Sequence, residues 1–165
     1  MKTFIAFLVS IFLMTPIVNC TQSYNKSKIL GAFHVGYDTE NVVRQNISAE
    51  NQIVFEMHDN ENVVKIIRFE GFVYKSHSCN VEVLLVNNTL HSVTYYPRRD
   101  KDVAKYIEFL NKNFDKNWMY SDSNSAWDNN TVLITLNLDP KYEEYFCHYS
   151  KEMLTKYPQY KYLKL

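Results

Sequence analysis

The sequence predicts an α+β fold, an antiparallel sheet of four to six strands with a helix packed on one face. Three observations predict it. Residues 53–57 and 132–138 alternate between apolar and less apolar side chains, the period of a half-buried strand. An Asn87-Asn88 pair separates two β-rich runs, as in a hairpin. Val103, Ile107, Leu110 and Phe114 recur at steps of four, three and four, which lines one face of a helix.

The N-terminus stands apart from that domain. MKT leads into FIAFLVSIFLM, then TP and IVNC, the layout of a secretory signal over residues 1–20. Its apolar core is shorter than the roughly 20 residues a membrane span needs. Cys20 has two readings. It is either the lipid-carrying first residue of the mature chain or the last residue of a leader cleaved before Thr21. Residues 21–28, TQSYNKSK, read as a polar tether or a disordered start. Residues 29–165 read as a single α+β domain, and the mature chain has a usual one-domain length.

Composition narrows the function classes. Lys plus Arg and Asp plus Glu are 18 each, so the formal charge is zero. No basic face points to nucleic acid, and the only expected membrane contact is a lipid anchor at Cys20. Aromatic residues make up 15% of the chain, with 13 Tyr and only three Gly, enough apolar area for a core.

Along the chain, residues 29–37 read as a strand or an irregular lead-in. Asp38 or Thr39 caps a short helix with Val42 and Val43 facing inward. Residues 53–57 and 63–75 pair across the DNEN turn, with Gly71 marking a bulge or bend. In the Asn87-Asn88 hairpin, Val86 opposes Thr89, Leu85 opposes Leu90, Val83 opposes Ser92 and Val81 opposes Thr94. That register puts hydroxyls on one face of the second strand and suggests a sheet edge. Asp100 or Asp102 caps the helix of residues 102–116, and Lys112 and Lys116 lie near its C-terminal end. The 132–138 strand is half-buried, with Leu133 breaking its polar side. Residues 141–156 read as a helix in preference to a strand at 144–150.

Few residues carry recognisable chemistry. Cys79 and Cys147 read either as a disulfide or as two buried apolar residues. A disulfide would close a loop of about 68 residues and contribute roughly 4 kcal/mol in the chain-entropy account. His77, Cys79, Cys147 and His148 are the residue types of a zinc site. The adjacent Cys147-His148 pair diverges too widely to chelate, however, whether on a helix or on a strand. No catalytic motif occurs, and no cofactor is implied. Trp118, Tyr120 and Trp127 bracket a polar loop and form the candidate binding platform.

The order GFVYKSHSCNVEVLLVNNTLHSVTYY, DVAKYIEFLNKNF, Trp127 and VLITLNL resembles small uncharacterised exported proteins of Bacteroidetes type. Those proteins pair an F-x-G strand and an NN-x-L hairpin with a helix and a further strand. The likeness covers roughly residues 30–139 and implies export and fold, not an activity. The expected function is an exported non-enzymatic binding or interaction domain for a protein, peptide or glycan. The alternatives are a small exported hydrolase with dispersed catalytic residues and a passive envelope structural protein.

Overall fold

The computed structural model describes residues 28–47, 51–75, 77–116, 125–139 and 143–163. β1 (Lys28–Ile29) and β2 (Phe33–His34) pair as a small ribbon, and α1 (Glu40–Asn46) follows. A meander of β3 (Asn51–Asp59), β4 (Asn62–Tyr74), β5 (His77–Val86) and β6 (Thr89–Tyr96) comes next. α2 (Asp100–Asn113) then crosses to β7 (Asp115–Lys116). The chain returns through β8 (Ser125–Asp128), β9 (Val132–Asp139) and β10 (Glu143–Ser150), and ends in α3 (Lys151–Lys156) and a 3-10 turn at Pro158–Tyr160. The main sheet runs β3-β4-β5-β6-β10-β9-β8-β7 with every neighbour antiparallel, so two meanders meet at a β6–β10 seam.

This corrects the expected fold class. The main sheet has eight strands, not four to six, and with the separate ribbon the described residues are mostly β. Residues 144–150, read as helix, are strand β10, inserted between β6 and β9. Consequently β6 is a central strand and not the sheet edge its hydroxyls suggested. Aromatics and Cys at residues 145–149 suit a pleated surface buried on both sides. The helix that does form there, α3, is shorter and starts after Ser150, whose Oγ accepts the Met153 N–H at 3.2 Å.

Local signals fare better where turn chemistry dictates geometry. Asn87 and Asn88 have φ of 49° and 63°, the left-handed pair a type I′ turn requires. Gly71, at φ 77°, lies where the β4–β5 register shifts, as a bulge predicts. The hairpin register differs from the expected one after two pairs. Val86 opposes Thr89 and Leu85 opposes Leu90, but Leu84 then opposes Ser92 and Val83 opposes Val93. His91 is the extra residue, a bulge that swaps the faces of everything after it.

Both faces of the sheet are covered at β9, which is buried on both sides from Val132 to Leu136 and not half-buried. One face packs Val81, Val83, Tyr95, Ile134 and Phe146 against the N-terminal segment and α2. α2 buries Val103, Tyr106 and Leu110, while Ile107 is only partly buried. Phe114 lies just past its end as the C-cap. Neither Asp100 nor Asp102 is its N-cap; that position is Arg99. In α1, Val43 is fully buried but Val42 is exposed. Thr39 is its N-cap, and Asp38 instead accepts the His34 N–H at 2.7 Å. The opposite face packs Ile66, Leu84 and Val86 against Met153 and Tyr160.

The N-terminal segment docks through backbone contacts. Gly36 N–H donates to Leu90 O at 2.7 Å, and Leu90 N–H donates to Asp38 O at 2.8 Å. A Cβ on Gly36, at φ 87°, would lie 2.6 Å from Ser150 Oγ, the α3 cap. Gly31, at φ 70°, has open space around it. Gly36→Ala is therefore expected to cost about 1–3 kcal/mol and clearly more than Gly31→Ala, measured by urea denaturation.

Acid should weaken the fold through two histidines. Burial holds both His91 and His148 down to about 4, against an unfolded value near 6.5. Between those values the unfolded chain binds more protons than the folded one, so stability falls as pH falls. Each ring contributes on the order of 3 kcal/mol that is present above about pH 6.5 and is lost toward pH 4. NMR titration should find these two imidazoles still neutral at pH 5.

Candidate functional site

Tyr74 at the end of β4, Tyr95 near the end of β6 and Tyr106 on α2 converge where the helix crosses the sheet. With Lys75, Asp102 and Lys105 they line a cleft of about 140 Å³. The three rings meet edge to face. Tyr95 and Tyr106 centroids are 5.2 Å apart, Tyr74 and Tyr95 6.0 Å, and Tyr74 and Tyr106 6.2 Å. Phe146 supports them from below, 4.8 Å from Tyr106. Such geometry suits the ring quadrupoles and keeps the cleft wall rigid.

Hydrogen bonds fix the helix side of the wall. His148 Nδ1–H donates to Val93 O at 3.0 Å, which leaves Nε2 as an acceptor. Tyr106 O–H donates to that Nε2 at 2.8 Å. Tyr106 therefore shows the cleft its ring and turns its hydroxyl into the core. Burial raises all three tyrosines above their ordinary value, and for Tyr74 and Tyr95 the neighbouring Cys79 adds to it. All three remain neutral at physiological pH.

The charges around the cleft are unequal. Arg99 clamps Asp102 through Nε at 2.7 Å and Nη2 at 3.0 Å, which neutralises the carboxylate. The Lys75 ammonium lies 4.7 Å from the Phe109 ring centroid and 5.2 Å from that of Tyr74. Among the described residues neither Lys75 nor Lys105 has a carboxylate partner. The cleft thus presents aromatic walls and uncompensated positive charge. The phenols hold their protons, and the His148 lone pair is taken by Tyr106.

Trp118, Tyr120 and Cys20 lie outside the described residues. Trp127 is core and not platform: it is 1% exposed, its ring packs on Phe146, and its Nε1–H donates to Asn111 Oδ1 at 2.8 Å. The disulfide expectation is corrected. Cys79 and Cys147 are both buried and are not joined to each other. Cys79 shares the face of Val81 and bonds Phe72 O at 3.3 Å, whereas Cys147 opposes Thr94 on the other face. The sheet itself stands between the two sulfurs. Burial pushes the Cys79 thiol up to about 12. His148 and Cys147 likewise point to opposite faces, and among the described residues no group of His, Cys, Asp and Glu is arranged to hold a metal ion.

Sequence reasoning missed the cleft because Tyr106 falls on an overlapping stripe. Val103, Tyr106 and Leu110 are as helical in spacing as the stripe through Ile107. Tyr74 and Tyr95 read as ordinary strand formers. Only the crossing of α2 over β6 and β10 brings the three together. Compared with known protein families, curated proteins and solved structures, the chain matches none of them.

Tyr106→Phe should leave the cleft walls in place but orphan the His148 lone pair. The expected cost is about 1–2 kcal/mol, read from urea unfolding at pH 7. A variant as stable as the parent would show that the Tyr106–His148 bond contributes nothing.

Proposed function

We propose that the protein is an exported, non-enzymatic binding domain whose ligand seat is the tyrosine cleft beside α2. The signal-like layout of residues 1–20 supports export, and no helix among the described residues is long and apolar enough to cross a membrane. The observation that carries the binding reading is the convergence of three neutral tyrosine rings around one cleft with two lysines that have no carboxylate partner among the described residues.

The chemistry of the wall suggests the ligand class. A cavity near 150 Å³ holds a benzene-sized guest, so a single ring fits the volume here. Aromatic walls favour a flat apolar body, and Lys75 and Lys105 favour a negative group at the mouth. The fitting ligand is a ring that carries one carboxylate, free or as the end group of a larger molecule. Lys75 and Lys105 would contact the anion, and Tyr74, Tyr95 and Tyr106 the ring.

Benzoate and its neutral counterpart benzyl alcohol are the probes. Titration followed by NMR should move the Tyr74, Tyr95 and Tyr106 ring signals. Benzoate should bind more tightly, lose affinity with added salt and lose about fivefold or more on Lys105→Ala, a charge-assisted contact. Equal binding of the alcohol would overturn the anion preference. No response of the three tyrosines to either probe would overturn the site.

A further inference from the structure

β3 is an outer strand of the main sheet, paired on one side by β4. The direction of its backbone groups follows from the next hairpin. Val63 N–H donates to Asn87 Oδ1 at 2.9 Å, and Asn87 N–H donates to Val63 O at 2.8 Å, so the peptide groups of Val63 face β5. Groups alternate along a strand, so those of Asn62 and Val64 face β3, where Asp59 and Met57 pair with them. Ile53, Phe55, Met57 and Asp59 therefore serve the β4 ladder. Gln52, Val54, Glu56 and His58 turn their N–H and C=O groups away from β4.

Those four residues are exposed. The strand is apolar as well: Ile53 is 50% exposed, Val54 47% and Phe55 45%. Sheet edges are usually blunted by short length, Pro, Lys or a bulge. β3 has nine residues, and its sequence NQIVFEMHD contains no Pro, Gly, Lys or Arg. Its pairing with β4 is continuous from Asn51↔Glu70 to Asp59↔Asn62.

We propose that β3 pairs with β3 of a second copy of this chain, antiparallel, about a two-fold axis through Phe55. A two-fold axis perpendicular to the sheet keeps each face continuous, so it must pass through a residue and pair positions of equal parity. At Phe55 the whole strand overlaps, and its four outward residues exchange roughly eight inter-chain hydrogen bonds. Phe55 meets Phe55 and Ile53 meets Met57 on one face, while Val54 meets Glu56 and Gln52 meets His58 on the other. Apolar partners of this kind stabilise a strand pair. No two like charges stand directly opposite, whereas an axis through Glu56 would oppose two carboxylates. An axis through Val54 would leave the His58 end of the strand without a partner in the other β3.

The charges favour a second copy over a charged peptide. Lys65 Nζ already holds Glu56 Oε2 at 2.9 Å, so the one carboxylate at the middle of the seam is neutralised. Without residues 1–20, which hold one Lys and no acidic residue, the chain carries 17 Lys and Arg against 18 Asp and Glu, so two copies approach with almost no net repulsion. Strand pairing alone buries less than the roughly 1,200 Å² of a standard interface. The dimer is therefore a concentration-dependent one.

Sedimentation velocity of the mature protein over a concentration series tests this, with Val54→Pro alongside. Proline removes an outward donor and none of the β4 ladder. The dissociation constant of the dimer should rise about tenfold or more, because two symmetry-related donors are lost. Phe55→Cys gives a check that does not depend on the proline variant folding. Two such thiols would face each other in a non-hydrogen-bonded pair, about 4.5 Å between Cα atoms, which suits a disulfide. Mild oxidation should cross-link Phe55→Cys well above the parent level and leave Ile53→Cys at it. A protein monomeric at every concentration, a proline variant that dimerises as tightly as the parent, or equal cross-linking at 53 and 55 would overturn the proposal.

Discussion

The seam between β6 and β10 joins residues more than fifty positions apart, and a single neutral imidazole fastens it. His148 on β10 donates from Nδ1 to Val93 O on β6 and accepts at Nε2 from Tyr106 on α2. Three elements that no short-range signal links are thereby held at one point. The arrangement requires the uncharged ring, because only that form has a lone pair for the phenol. Burial supplies this condition by holding the ring at about 4. The aromatic cluster packs around the same point, with Phe146 stacked on Tyr95 and edge-on to Tyr106.

A second constraint sits on the other face. The His91 bulge turns its side chain toward the C-terminal segment, where its ring meets Tyr149 edge to face at 6.3 Å. Its Nε2–H reaches Tyr157 O at 3.3 Å, and its buried Nδ1 has no partner among the described residues. Nearby, Asn87 Nδ2 donates to Tyr157 Oη at 3.2 Å, Tyr149 O–H to Lys161 O at 2.7 Å and Tyr160 O–H to Asp59 Oδ2 at 2.7 Å. The last turn of the chain thus ties both hairpins of the first meander together. Without the extra residue at 91, Val93 and Tyr95 would exchange faces with Ser92 and Thr94. The seam and the cleft would both lose their apolar side.

The cleft and the free edge are separate features with separate causes. The cleft exists because α2 must cross three strands to reach the far side of the sheet, and its first turns pass over the ends of β4 and β6. The open edge exists because β3 begins the meander and nothing later in the described chain returns to it. One feature concentrates rings and positive charge in a hollow. The other leaves peptide groups and apolar side chains in line along about 30 Å of strand. Occupation of one does not require residues of the other.

Turns and periodicities were legible in the residues alone. Asn87-Asn88 prescribed a tight hairpin because both residues tolerate positive φ, Gly71 marked a bulge for the same reason, and the α2 stripe marked a helix. These are properties of neighbours in sequence. The strand at 143–150 was not legible, because its aromatic residues suit a helix face and a strand equally well until β6 and β9 lie beside it. The His91 bulge was hidden as well, since a single inserted residue leaves the local alternation plausible in either register. The candidate Trp127 went into the core, and the paired cysteines were set on opposite faces, by the same long-range pairing. Local chemistry determined where the chain turns and which stretches repeat. Tertiary structure alone decided which face each side chain joined, because that depends on contacts between residues far apart in the chain.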